Sequence, residues 1–252
     1  MKKIADISYG THPMQMLDIY LPEKEEFDVF VYFHGGGLEA GSRGFKTENA
    51  KQITDAGVAL VSVEYRMYPE AKFPDYVEDA AASVAWVKNN MEKYGKVKGI
   101  YVGGTSAGGY LSMMLCFGEK FLADVGVSNK DIAGYYHDAG QPTTHFNILK
   151  RERDVNPNRT LVDEAAPLFY IDGPGHYYPP MHFVVADNDM KNRYEQTMLT
   201  LSSLRNFGYD MSKITLSVME NCTHCSYWNS IKEDGRHLMC DRIAEFIKST
   251  KE

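Results

Sequence analysis

Short, unbroken apolar runs separated by stretches of helical length constrain this chain more than any other feature. Residues 29–33 (Val-Phe-Val-Tyr-Phe), 58–63 (Val-Ala-Leu-Val-Ser-Val) and 100–102 (Ile-Tyr-Val) lack the polar alternation of a half-wet strand. Each therefore predicts a strand buried on both faces. Between them, residues 75–94 carry Val77, Ala81, Val84, Ala85 and Val87 at helical spacings, with Pro74 near the first turn and Gly95 at the end. The pattern continues with a strand at 181–186, a helix at 194–207 closed by Gly208, a strand at 214–219 and a last helix at about 231–248. Strands alternating with helices of this length predict βαβ crossovers, hence a mainly parallel sheet with helices on both faces. Residues 14–21 depart from this: they alternate and stop at Pro22, which predicts an early antiparallel strand with one wet face.

With 252 residues, 44% of them apolar and 24% charged, the chain fits one globular α/β domain spanning 1–252. A net charge of −7 without a basic run argues against a nucleic-acid groove. No stretch approaches the ~20 apolar residues a membrane helix needs. Asp6 interrupts the N-terminal segment before a signal-peptide apolar core could form. Four cysteines are too sparse for a disulfide scaffold, which points to reduced thiols and a cytoplasmic setting. Residues 140–180, rich in Pro, Gly, aromatics and His, resist the alternation and predict a small lid inserted over the site.

Two segments carry chemistry. Gly104-Thr105-Ser106-Ala107-Gly108 has the G-x-S-x-G spacing in which a serine sits on a tight strand-to-helix turn, and here an apolar strand enters it and a helical pattern leaves it. His34-Gly35-Gly36-Gly37 follows the strand at 29–33, where consecutive glycines let backbone amides turn toward a substrate oxygen. A phosphate-binding loop is the other reading of those glycines, but neither a following Lys-Ser/Thr nor G-x-G-x-x-G spacing is present.

Together with Gly41-Ser42, the run Glu64-Tyr65-Arg66-Met67-Tyr68-Pro69-Glu70, Phe73-Pro74, Asp79 and Trp86, these motifs resemble the α/β-hydrolase superfamily. Within it, the chain is similar to the hormone-sensitive-lipase-like esterases and small bacterial carboxylesterases. The resemblance runs from about Gln15 to the C-terminus and implies the α/β-hydrolase fold, a mostly parallel eight-stranded sheet. Little sequence precedes the first strand, so no N-terminal cap like that of larger members is expected, and 140–180 is the remaining candidate cover.

The superfamily order Ser, Asp/Glu, His implies an acid after the strand at 181–186 and a base after the last strand. Asp187 and Asp189 both follow the first of these. Asp189 is the assignment, on the family's G-x-x-D spacing, with Asp187 as the alternative. His224 is the base, lying after the strand at 214–219, whereas His237 falls within the final helix. Ser106 is then the nucleophile, and the amides of Gly36, Gly37 and Ala107 form the oxyanion hole.

Tyr136 and His137, with Tyr170, His176, Tyr177 and Tyr178, read either as aromatic packing or as lining of an acyl or alcohol pocket. In the second reading Tyr136 and His137 contact substrate. Cys222 and Cys225 flank His224 at a metal-ligand spacing, but a closed zinc site needs four ligands and no second pair stands at a suitable distance in sequence. No metal or cofactor is expected. The resulting expectation is a serine carboxylesterase for short-chain or small aromatic esters, with a small-molecule ester as partner and homo-oligomerisation left open. The same machinery would also suit an aryl-formamidase, a peptidase or an acyltransferase, and the scaffold could serve as a non-catalytic binding module.

Overall fold

The computed structural model describes residues 1–251. Eight strands, β1 (Lys2–Ser8), β2 (Met16–Leu21), β3 (Glu26–Phe33), β4 (Val58–Val63), β5 (Lys96–Thr105), β6 (Gly134–Asp138), β7 (Met181–Asn188) and β8 (Ile214–Thr223), form one sheet. Their order is β1-β2-β4-β3-β5-β6-β7-β8. The pairs β1/β2 and β2/β4 are antiparallel, and every pair from β4/β3 to β7/β8 is parallel. This is the α/β-hydrolase fold.

The helices are α1 (Thr47–Asp55), α2 (Asp75–Asn90), α3 (Ala107–Phe117), α4 (Glu119–Ala123), α5 (Phe146–Arg151), α6 (Arg193–Asn206) and α7 (Leu238–Ser249). They divide the core in two. One face of the sheet packs Val29, Val31, Phe33 and Val102 against α2, α3 and α6, and the other packs Phe30, Leu60, Tyr101 and Tyr136 against α1 and α7. Both faces are covered, so β3 and β4 bury apolar side chains in unbroken succession, as their composition requires. Among the described residues no helix is long and apolar enough to cross a membrane.

Three expectations need correction. β2 has no wet face: residues 17–21 are all buried, because Tyr20 enters the core beneath α1 and Asp18 accepts from the Asp6 amide and Arg43 Nε, each at 3.0 Å. The exposed strands are β1 and β8, on the two edges of the sheet. The final helix starts at Leu238, not near 231. Residues 231–237 instead form a turn with Gly235 at φ +80° and a Lys232 amide bond to the Arg236 carbonyl at 2.8 Å, so His237 precedes the helix.

The insertion at 140–180 leaves the C-terminal end of β6 and returns to the start of β7. Residues 140–149 are mostly buried beside the C-terminal ends of the strands. The remainder runs along α3, where Tyr110 Oη donates to the Ala165 carbonyl at 2.9 Å, and ends with Tyr209 Oη donating to the Pro179 carbonyl at 2.8 Å.

Candidate active site

Four parallel strands end on the same edge of the sheet, and the residue after each carries a chemical group. His34 follows β3, Ser106 follows β5, Asp189 follows β7 and His224 follows β8. Open α/β sheets place their sites on this edge because strand ends and helix starts leave backbone amides free there.

Ser106 has φ 58° and ψ −112°, a backbone conformation that non-glycine residues rarely occupy and that the surroundings must hold. Its amide donates to the Asp138 carbonyl at 2.8 Å. At Gly108, a Cβ would overlap the Phe33 carbonyl, so the turn admits α3 against β3 only without a side chain there. Ala107 opens α3, and a first-turn amide has no acceptor within its own helix.

Ser106, His224 and Asp189 form a continuous hydrogen-bonded chain. His224 Nε2 lies 2.8 Å from Ser106 Oγ, and His224 Nδ1 lies 2.6 Å from Asp189 Oδ1. Asp189 Oδ1 also accepts from the Met190 amide at 2.7 Å. Burial alone would raise the Asp189 carboxyl, but the hydrogen bond and charge of His224, with the Met190 amide and Arg193, hold it below the ordinary carboxylate range. Asp187 points elsewhere. It is exposed and accepts from the amides of Asn221 at 2.9 Å and Cys222 at 3.2 Å, tying the end of β7 to the end of β8.

The glycine loop lies directly against the serine, since a Cβ on Gly35 would stand 3.3 Å from Ser106 Cβ. Gly36 has φ +123°, and a side chain there would overlap the Ala40 carbonyl. Asn147 Nδ2 donates to the Gly37 carbonyl at 2.6 Å, fixing how that peptide is turned. His34 anchors the loop from below: its Nε2 lies 2.7 Å from Glu64 Oε1, and its ring stacks on Tyr65 at 4.5 Å. Glu64 Oε2 in turn accepts from the Arg43 amide at 3.1 Å. The residues of the Glu64-Tyr65-Arg66 motif thus support the loop, and Arg66 pairs with buried Asp79 through Nε and Nη2 at 2.8–3.1 Å.

Tyr136 and His137 do not reach this site. They point to opposite faces of β6, as neighbours on a strand must, and both faces are closed by core, leaving each about 1% exposed. Burial pushes His137 down to about 3, with His182 adding to the shift, and His145 falls to about 3 through burial and the charges of Arg193 and His224. His182 falls to about 4, again chiefly by burial. The unfolded chain would protonate these imidazoles near pH 6.5 while the folded one does not, so stability present above that pH is lost as it falls toward 3. Asp138, whose carboxyl is raised, acts oppositely between about 6 and 4, but three imidazoles outweigh it. Thermal melts should therefore show Tm dropping steadily from pH 7 to pH 4. A flat Tm over that range would contradict the burial of neutral histidines.

Sequence reading missed Asn147, Phe146 and the Asp138–Tyr227–Trp228 cluster. The Phe146 ring abuts Gly37 and also lines a cavity of about 180 Å³ with Gln141, Arg159, Met190, Lys191 and Arg193. Met190 is the neighbour of Asp189, so this cavity adjoins the site. Cys222 and Cys225 are free thiols, and among the described residues no group of three or more His, Cys, Asp or Glu side chains is disposed to hold a metal.

Residues 17–147, half of the chain, match the BD-FAE family model, and the chain belongs to that family. A probable isoprenylcysteine alpha-carbonyl methylesterase of Oryza sativa is 30% identical over 109 residues, 42% of this chain and 26% of that protein. The kynurenine formamidase of Danio rerio is 31% identical over 168 residues, 63% of this chain and 56% of that protein. The chain thus spans from about a quarter to just over half of these relatives. Among solved structures, a truncated carbohydrate esterase from gut microbiota superposes with a TM-score of 0.76 at 16% identity, covering 100% of this chain and 97% of that one, which shows the shared fold.

Proposed function

We propose that the protein is a serine carboxylesterase acting on short-chain or small aromatic esters. The observation that carries this reading is the unbroken chain from Ser106 Oγ through His224 to Asp189, at 2.8 and 2.6 Å. In this mechanism His224 Nε2 takes the Ser106 proton as Oγ attacks the ester carbonyl, and Asp189 holds Nδ1–H and stabilises the imidazolium. The oxygen of the tetrahedral intermediate gathers charge beside the glycine loop and the start of α3. There the amides of Gly36, Gly37 and Ala107 stabilise it. The imidazolium then protonates the leaving alcohol, and a water activated by the same base releases the acid from Ser106.

The adjoining cavity supports a small substrate. At about 180 Å³ it falls below the ~300–1,000 Å³ of sites for drug-sized ligands, and Arg159, Lys191, Gln141 and Arg193 set polar groups beside the apolar Phe146, Pro157 and Met190. Gln141 and Phe146, with Pro157, Asn158 and Arg159, form the insertion's share of its wall, the part that serves as cover. A long acyl tunnel would reward each buried CH₂ by about 0.8 kcal/mol, so kcat/KM would climb with chain length. For this protein kcat/KM on 4-nitrophenyl esters from acetate to palmitate should peak among the short acyl groups. A maximum at a long chain would overturn the substrate assignment. A cytoplasmic setting accords with the four free thiols, two of them buried.

The zebrafish relative supports a second substrate class, aryl-formamides, for the same triad, because it aligns over 63% of this chain. Hydrolysis of an N-formyl arylamine faster than of any short ester would favour it.

A further inference from the structure

The Asp138 carboxylate is fully buried at the end of β6 and stands outside the triad, yet donors reach it from both sides of the site. Its Oδ1 accepts from Tyr227 Oη at 2.5 Å, and its Oδ2 from Trp228 Nε1 at 2.6 Å and Thr105 Oγ1 at 2.8 Å. Its main-chain carbonyl accepts from the Ser106 amide. Thr105 immediately precedes the nucleophile, while Tyr227 and Trp228 belong to a short 3-10 turn, Ser226–Asn229, that follows His224. Tyr32 Oη extends the network by donating to Thr105 Oγ1 at 3.2 Å, and its ring packs against Trp228.

A buried carboxylate is a costly way to fill a core, and hydrogen bonds to an ionised acceptor are shorter and stronger than neutral ones. Two such bonds come from the loop that carries the base and one from the strand that carries the nucleophile. From this geometry we propose that Asp138 is a positioning residue that clamps the His224 loop onto the Ser106 turn and so sets the approach of Nε2 to Oγ. The inference rests on the reading of Ser106 and His224 as nucleophile and base.

Burial raises the Asp138 carboxyl to about 6, against the opposing pull of Tyr227, Trp228, Thr105 and His224. The groups facing it are Tyr32 from β3, Thr105 from β5, Tyr136 from β6, and His224, Cys225, Tyr227 and Trp228 from the segment after β8. When Asp138 takes a proton, one oxygen becomes a donor and a neighbouring donor loses its acceptor. Protonation of Asp138 thus loosens the clamp, and activity falls with it in acid.

The test compares Asp138→Asn, Tyr227→Phe and Trp228→Phe with wild type on 4-nitrophenyl acetate, reading kcat, KM, the pH dependence of kcat/KM, and Tm. A misplaced base loses on the order of 10²-fold, so Asp138→Asn should lose about 10- to 100-fold in kcat with KM nearly unchanged. Its acid limb of log kcat/KM should have a shallower slope than the wild type's, because the variant has no carboxyl at position 138 to protonate. Tyr227→Phe and Trp228→Phe should each lower kcat, and adding Tyr227→Phe to Asp138→Asn should cost less than the two single effects combined. Lowered Tm with kcat and slope unchanged in the three single variants would overturn the proposal. Should Asp138→Asn fail to fold, the two aromatic variants decide by the same kcat criterion. A wild type inert toward esters would instead overturn the underlying reading, and this inference with it.

Discussion

Ser106→Ala should lower kcat on 4-nitrophenyl acetate by a factor on the order of 10⁶, the loss expected when a nucleophile that acts as one unit with its base is removed. The substitution deletes one partly exposed hydroxyl whose partner is His224 Nε2, and alanine can take the same turn. The amide bond to the Asp138 carbonyl and the packing of Gly108 against Phe33 stay in place. Tm should therefore stay within about 2 °C of wild type, as for substitutions that disturb no packing. Circular-dichroism melts run beside the kinetics separate loss of chemistry from loss of fold. An active Ser106→Ala protein would remove the nucleophile from the mechanism.

Asp189→Asn should cost on the order of 10⁴ in kcat, because an amide that donates toward Nδ1 holds the imidazole in the wrong tautomer and cannot stabilise its cation. Asp189 is buried and 2.6 Å from Nδ1, and His224 is among the groups that keep its carboxyl ionised against the burial penalty. Asp187→Asn should leave the rate near that of wild type. Its carboxylate is exposed and occupied by two amides of β8, and an asparagine oxygen can retain part of that bonding. Steady-state kinetics on the two variants decide the matter. A crippled Asp187→Asn beside an active Asp189→Asn would reassign the acid.

The parallel strands were legible because burial on both faces leaves a direct trace in composition: β3 and β4 are runs of apolar residues with hardly a break. The order of chemistry along the chain was legible for a related reason, since βαβ topology sends successive strand ends to one edge. Ser106, Asp189 and His224, each read as following a strand, were bound to be neighbours in such a sheet. Tyr136 and His137 show the limit of that reasoning. Their positions near the end of β6 suggested a pocket, but a strand covered on both faces buries both neighbours, and nothing local reveals which surface is open. A helix starting near 231 is not compatible with Gly235, whose φ of +80° ends any helix before His237. The Asp138 cluster left no trace at all, because its other members lie 33 to 90 residues from Asp138 and meet it only when β5, β6 and the segment after β8 converge.

In the proposed mechanism Ser106, activated by His224, attacks an acyl carbon. Reaction of the intact protein with a fluorophosphonate probe, followed by peptide mass spectrometry, tests it most directly, because the probe captures an activated serine in the act that begins turnover. The account predicts one adduct per chain, on the peptide carrying Ser106, absent in Ser106→Ala and strongly slowed in Asp189→Asn. An unlabelled wild-type chain, or an adduct on any residue other than Ser106, would contradict it.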